Sequence, residues 1–128
     1  MKTYVLVGIG GMIGASLRYL LCVFVNIWWL GMFPISTLIA NLFGAFLLTW
    51  FTESMMQNKF LSKELSIAFT TGLIGSFTTF STLSVETVML VENNAWFIAC
   101  LYVMVSIIGG FIMAFSGYKL GNKRRLSA

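Results

Sequence analysis

The residues best suited to chemistry in this sequence are hydroxyls, and they are concentrated in one stretch. Nine serines and threonines fall within the eighteen positions 70–87. Gly72 and Gly75 precede the densest part, and glycines followed by β-branched threonines form a poor continuous helix. Backbone freed at a helix break can hold a cation through its carbonyls or face an anion with its amides. The pattern predicts an ion pathway, with a break near 75–79 and a new helix from 80–81.

The same hydroxyls also have a purely structural alternative. Serine and threonine in a helix can donate to a carbonyl of the preceding turn, and we expect this of one or two of the nine. Non-helical backbone at membrane depth survives where it is buried in protein or lines a polar cavity. The clustering around glycines therefore favours a pathway.

Other polar residues lie within long apolar stretches. Arg18 is expected either to be functional or to pair with backbone carbonyls or a carboxylate such as Glu86. Asn41 can donate N–H groups to an anion or bridge two helices. Glu86 can carry a proton, bind a cation or close the dehydrated end of a vestibule. Tyr102 and Ser106 are four apart and share a helix face, so they can extend a polar track.

Phe77 and Phe80 are three apart and also share a helix face. The edge of a phenyl ring carries partial positive charge, so a ring pair can favour a small anion. Packing is the other interpretation of aromatics at this spacing.

Enzymatic chemistry has little support in the sequence. The chain has no histidine and no aspartate, and its two cysteines, Cys22 and Cys100, form no CxxC pair. A zinc site, a redox pair or a nucleophile–base pair would need such residues. We therefore predict that the protein is not an enzyme.

The elements that must position these residues are membrane helices. The chain has 128 residues, of which 59% are hydrophobic and 9% charged, too few charges for a soluble domain. Between Arg18 and Glu53 lie 34 uncharged residues, and about 20 apolar residues suffice for one helix to span a bilayer. Pro34 divides this tract. We predict an all-α membrane protein, one domain over 1–128, with spans at roughly 3–29, 34–53, 64–91 and 95–118.

Small residues recur along the first and fourth spans. In lipid, close backbone approach at such residues drives helix packing, so we expect tight contacts within the monomer or between subunits. The residues concerned are Gly10, Gly14, Gly110, Ala114, Gly117 and Gly121.

Basic residues are biased to one side of the predicted bundle. Seven lie on the side of the termini and the 54–63 loop, which the positive-inside rule makes cytoplasmic. They are Lys2, Lys59, Lys63, Lys119, Lys123, Arg124 and Arg125. We interpret the basic tail as a topology signal or a lipid-headgroup contact, and expect no nucleic-acid partner.

Three segments that follow one another along the chain carry a family resemblance. Residues 10–19 read GGMIGASLRY, 37–44 read TLIANLFG, and 72–82 read GLIGSFTTFST, with Glu86 following at the expected interval. The chain resembles the Fluc (CrcB) fluoride channels across all four spans.

The resemblance implies a passive, highly selective fluoride channel that exports fluoride across a bacterial inner membrane and relieves its toxicity. It implies an antiparallel, dual-topology homodimer with two pathways, despite the basic-residue bias. A sodium ion would lie at the dimer centre, held by the backbone carbonyls of Gly75 and Thr78. The implied pathway residues are Asn41, Phe80, Ser81, Thr82, Tyr102 and Ser106, with Arg18 and Glu86 at a vestibule.

The chain departs from the family pattern at two positions. Leu83 stands where the motif usually has a second phenylalanine, and Thr49 stands where a small residue is common. The first departure concerns conductance, because Leu83 provides no ring edge.

Two rival functions remain open. A proton-coupled exporter of cationic drugs, similar to the small multidrug resistance transporters, also has four helices, but it needs a carboxylate in the first span, where this chain has Arg18. A structural subunit of a larger membrane complex would not need the hydroxyl cluster.

Overall fold

The computed structural model describes residues 1–55 and 62–126, so Lys59 of the basic side lies outside it. All regular structure within this range is helical. The helices are α1 (Lys2–Trp28), α2 (Ile35–Met55), α3 (Lys63–Ile67), α4 (Gly75–Phe77), α5 (Phe80–Glu92) and α6 (Trp96–Leu126), with a π-helical segment at Ala68–Ile74.

The number of membrane spans is as predicted. Among the described residues, four helical stretches are long and apolar enough to cross a bilayer: Lys2–Trp28, Ile35–Ser54, Lys63–Glu92 and Trp96–Lys123. The fourth helix continues to Leu126, past the predicted limit of 118. Hydrophobicity ends near Lys119, but lysine, arginine and leucine are good helix formers, so the backbone stays helical beyond the apolar stretch.

The third span is broken where the glycines and threonines predict. Thr78 (φ −83°, ψ 156°) and Thr79 (φ −151°, ψ 128°) are both extended, and they separate α4 from α5. Helix α5 begins at Phe80. The π-helical segment upstream is an additional irregularity that the sequence pattern did not predict.

Close backbone contacts join α1 to the third span within one chain. A Cβ added at Gly10 would lie 2.5 Å from the carbonyl oxygen of Ala68, and one at Gly14 would overlap the carbonyl of Leu73. From the other side, a Cβ at Gly72 would lie 2.6 Å from the carbonyl oxygen of Val7. Glycine is required here because no larger residue leaves room for the facing backbone.

Helices α2 and α6 form the other close pair. Gly117 lies against Phe46 and Thr49, and Gly121 lies against Glu53. Thr49 therefore fits because glycine faces it. Gly110, by contrast, has open space where a side chain would be, so only part of the small-residue pattern on α6 is used within the chain.

The α1–α2 and α5–α6 connections lie at the same end of the bundle. Trp29 Nε1 donates to the carbonyl of Phe33 at 2.9 Å in the first connection. Asn94 takes a φ of 59° in the second, a left-handed conformation in which asparagine is enriched. Trp29 and Asn93 line one cavity of about 330 Å³ that Glu86 also lines.

Candidate functional site

The break in the third span is held from α2 by the side chain of Asn41. Asn41 Nδ2 donates to the carbonyl of Thr79 at 2.9 Å, and the amide of Thr79 donates to Asn41 Oδ1 at 2.8 Å. A carboxamide offers a donor and an acceptor on one plane, so both backbone groups of Thr79 are satisfied at once. One N–H of Asn41 is left over by this pairing.

The hydroxyl of Thr79 caps α5 and gathers two further hydroxyls. Its Oγ1 accepts from the amide of Thr82 at 3.2 Å, the usual role of a threonine N-cap. The same oxygen lies 3.0 Å from Thr82 Oγ1 and 3.2 Å from Ser81 Oγ. Three hydroxyls thus meet beside the first turn of α5, where the helix dipole is positive. This arrangement suits a small anion.

Glu86 joins α5 to two other helices. Thr37 Oγ1 on α2 donates to Glu86 Oε1 at 2.8 Å, and Tyr102 Oη on α6 donates to Oε2 at 2.7 Å. Tyr102 and Thr37 are fully buried, and the Tyr102 ring meets Phe33 edge to face at 5.5 Å. Both carboxylate oxygens are therefore engaged, and Glu86 forms no ion pair with Arg18 within the described ranges.

Replacing Tyr102 with phenylalanine should lower the stability of the fold. The change removes a hydroxyl that donates to Glu86 Oε2 and leaves that oxygen without a protein donor at a half-buried position. The expected loss is about 1–3 kcal/mol in unfolding free energy, measured by equilibrium unfolding in mixed micelles. Tyr118→Phe is the matched control, because Tyr118 is exposed on the same helix. Equal stability of the two variants would contradict the assigned role of the bond.

Back-bonding is more common among the nine hydroxyls than expected. Four of them donate to a carbonyl four residues earlier, where one or two were predicted: Thr70, Thr78, Ser84 and Thr87. Ser106 on α6 does the same, to the carbonyl of Tyr102 at 2.7 Å. The expectation was wrong because any threonine or serine inside a helix has such a carbonyl within reach. The hydroxyls that meet at the break are therefore only a part of the nine, those of Thr79, Ser81 and Thr82.

A second cavity, of about 470 Å³, opens beside the break. Asn41, Thr78 and Thr79 line it together with Gly75 and Phe80. Phe80 is 81% exposed, so its ring lies at the edge of this cavity and is little packed within the chain. Its neighbour in the sequence pattern, Phe77, is buried and meets Phe43 edge to face at 6.4 Å. The two rings predicted as a pair therefore have different surroundings.

The break takes away the usual helical donor of the Gly75 carbonyl. In a continuous helix it would receive the amide of Thr79, but that amide is bonded to Asn41. The amide of Thr78 still donates to Ile74, at 3.0 Å. Within the described ranges, no group of three or more histidine, cysteine, aspartate or glutamate side chains lies together.

The remaining predicted residues have other surroundings. Arg18 is half-buried on α1. Tyr102 and Glu86 meet each other at the end of the bundle where the two connections lie. Leu83 packs on the apolar cluster of Tyr102, Leu90 and Ala99.

Thr79 and Thr37 have roles that the sequence pattern did not predict. Thr79 was counted among the nine hydroxyls, and Thr37 appeared only as the first residue of the 37–44 segment. The cap of Thr79 could have been found, because threonine just before a new helix is a common N-cap. The bond from Thr37 to Glu86 spans 49 positions, and no local signal marks it.

Comparisons with known proteins agree on one family. A family model described as "CrcB-like protein, Camphor Resistance (CrcB)" matches residues 5–118. Fluoride-specific ion channel FluC 1 of Bacillus cereus is 49% identical over 119 residues, covering 93% of this chain and 87% of that protein. Fluoride-specific ion channel FluC of Oceanobacillus iheyensis is 44% identical over 127 residues, covering 94% and 92%.

A third relative extends the agreement beyond these genera. Fluoride-specific ion channel FluC 1 of Desulfitobacterium hafniense is 46% identical over 112 residues, covering 88% of this chain and 96% of that protein. Similarity of this extent, together with four membrane-spanning helices and the family motifs at the break, shows that the chain belongs to the CrcB-like family.

Proposed function

We propose that this protein is a passive fluoride channel. The observation that carries the proposal is the set of relatives named fluoride-specific ion channels, which match at 43–49% identity over most of their length. The geometry at the break is the physical support. Hydroxyls of Thr79, Ser81 and Thr82 meet at the dipole-positive start of α5, and a spare N–H of Asn41 lies nearby.

Fluoride is small and strongly hydrated, so a pathway must offer several hydrogen-bond donors in a narrow space. Hydroxyls and an amide can replace the lost water, and the ring edge of Phe80 adds a weak positive contact. Tyr102 and Ser106 extend the proposed track along α6. Arg18 and Glu86 would lie at a vestibule, and Glu86 lines the cavity at the end of the bundle where the two connections lie.

The proposal includes an antiparallel homodimer with two pathways in a bacterial inner membrane. The ring of Phe80 and the cavity beside the break open to the outside of a single chain, which suits completion by a second copy. The resemblance favours insertion in both orientations. The basic residues at one end favour a single orientation, so the dimer needs its own test.

A structural sodium ion is the proposed cofactor. The carbonyls of Gly75 and Thr78 would hold it, and unwound carbonyls of broken membrane helices are suited to Na⁺. The ion would supply a fixed positive charge beside the pathway. The carbonyl of Gly75 supports this assignment, because the amide that a continuous helix would give it is bonded to Asn41.

Reconstitution in liposomes tests the function directly. Purified protein should release fluoride from loaded vesicles in the presence of a potassium ionophore, recorded with a fluoride electrode, and chloride should not follow. Cross-linking of single cysteines at both membrane faces should give dimers with opposed subunits. Absence of fluoride release would overturn the proposal.

The alternative is proton-coupled export of cationic drugs. That activity needs a membrane carboxylate that can load and release a proton, and Glu86 is the sole acid well inside a span. Thr37 and Tyr102 donate to the two oxygens of Glu86, so this carboxylate joins three helices of the fold. Uptake of a cationic dye driven by a pH gradient would favour this alternative.

Phe80→Ile should slow fluoride conduction while leaving the fold intact. Because the ring is 81% exposed, its loss removes little packing within the chain. The ring edge beside the pathway is lost, and the expected decrease in flux is roughly tenfold. Efflux from liposomes measures it, with Phe97→Ile as the control, since Phe97 is 80% exposed on α6. Unchanged flux in Phe80→Ile would remove this ring from the pathway.

A further inference from the structure

The two residues of the break are both held by α2. Asn41 makes two reciprocal hydrogen bonds with the backbone of Thr79. One helical turn later, Gly44 packs against the side-chain methyl of Thr78, which a Cβ at that position would overlap. The helix that carries Asn41 therefore fixes both extended residues.

Thr79 needs these bonds because it has left the helix at a buried position. Thr79 is 9% exposed. A buried backbone amide or carbonyl without a hydrogen-bond partner costs free energy of folding. The carboxamide of Asn41 supplies both partners, as a neighbouring strand would. Since Thr79 Oγ1 in turn contacts Ser81 and Thr82, the orientation of three hydroxyls depends on Asn41.

We propose that Asn41 is chiefly a positioning residue: it acts on the conducted ion through Thr79, by holding the break open and the hydroxyl cluster aligned. Direct donation to fluoride from the remaining N–H is secondary. The flux measurements below depend on the proposed channel function, whereas the exchange measurements do not.

Hydrogen exchange at the amide of Thr79 tests the positioning itself. Asn41→Leu removes both bonds without adding charge, and the peptide containing Thr79 should exchange roughly tenfold faster or more. Asn41→Asp keeps the acceptor for the Thr79 amide, so that amide should stay protected. Unchanged exchange in Asn41→Leu would overturn the proposal, whether or not the wild-type protein conducts fluoride.

A double-mutant cycle on fluoride efflux separates positioning from direct donation. Asn41→Leu and Thr79→Val should each lower the fluoride flux. The flux of the double variant should be within about twofold of that of the single variant with the lower flux, because both changes disrupt the same hydrogen-bonded arrangement. Thr79→Ser keeps the capping hydroxyl, so this variant should retain most of the flux that Thr79→Val loses. Multiplied effects in the double variant would show that Asn41 acts on the ion independently of Thr79, and would overturn the proposal.

A failure of Asn41→Leu to fold leaves two arms of the test in place. Thr79→Val keeps Asn41 and removes only the capping hydroxyl, so an unchanged flux in that variant contradicts the proposal. If the wild-type protein shows the expected protection at Thr79 but releases no fluoride, the proposed function is overturned. The positioning role of Asn41 is then retained.

Discussion

Replacing Asn41 with aspartate is expected to reduce fluoride efflux by about tenfold or more. The new carboxylate would face the cavity beside the break, which Asn41 lines. Two like unit charges 4 Å apart repel by about 4 kcal/mol at an effective dielectric constant near 20. A tenfold decrease in rate needs only about 1.4 kcal/mol, so incomplete ionisation would still leave a large effect.

The same change also disturbs the break. An ionised carboxylate has no donor for the carbonyl of Thr79, which Asn41 Nδ2 satisfies at 2.9 Å, and it brings negative charge against that oxygen. The acceptor for the Thr79 amide is kept. The loss of flux should therefore be accompanied by altered hydrogen exchange at amides beyond Thr79, whereas the amide of Thr79 itself should stay protected.

Fluoride efflux from liposomes measures the effect, at equal amounts of reconstituted protein. Asn94→Asp is the matched control, because it makes the same charge change in an exposed turn where aspartate tolerates a φ of 59°. The control should conduct like the unchanged protein. Full conduction by Asn41→Asp would exclude Asn41 from the lining of the fluoride pathway.

The break could be predicted because its cause is local. Glycines followed by threonines weaken a helix wherever they occur, so positions 75–79 were sufficient evidence, and the structure has the break at Thr78 and Thr79. The partner of the break could not be predicted in the same way. Asn41 is 38 positions away, and periodicity does not say which face of α2 meets which residue of the third span.

The surroundings of Glu86 show the same limit. The sequence identified it as the membrane carboxylate, and left a proton carrier, a cation site and a vestibule residue open. Its two donors, Thr37 and Tyr102, lie on different helices, 49 and 16 positions away. Hydrogen bonds of this range depend on helix rotation, which hydrophobicity in a membrane hardly constrains because lipid faces most of each helix.

The π-helical segment at Ala68–Ile74 was also invisible in the sequence. Such segments widen the helix by one residue per turn and are often found at functional sites, but no residue type marks them. Here the segment faces the glycines of α1, whose lack of side chains leaves room for it. Gly10 and Gly14 were correctly interpreted as packing residues; what they pack against required the structure.

Gly14→Ala is expected to destabilise the fold, because the added methyl would overlap the carbonyl group of Leu73. The obstacle is backbone, so no side-chain rotation can relieve it, and α1 or the π-helical segment must move. Overpacking of this kind costs about 1–3 kcal/mol, partly offset by the better helix propensity of alanine, up to about 1 kcal/mol.

Thermal unfolding in detergent measures the loss, and Gly8→Ala is the matched control on the same helix. A Cβ at Gly8 has no atom within 4 Å, so that variant gains helix propensity without a clash and should melt at or above the temperature of the unchanged protein. Because the segment that α1 supports leads directly into the break, Gly14→Ala should also lose fluoride flux in the fraction that still folds. Equal melting temperatures of Gly14→Ala and Gly8→Ala would mean that α1 does not approach the third span this closely. The break would then be held by α2 alone.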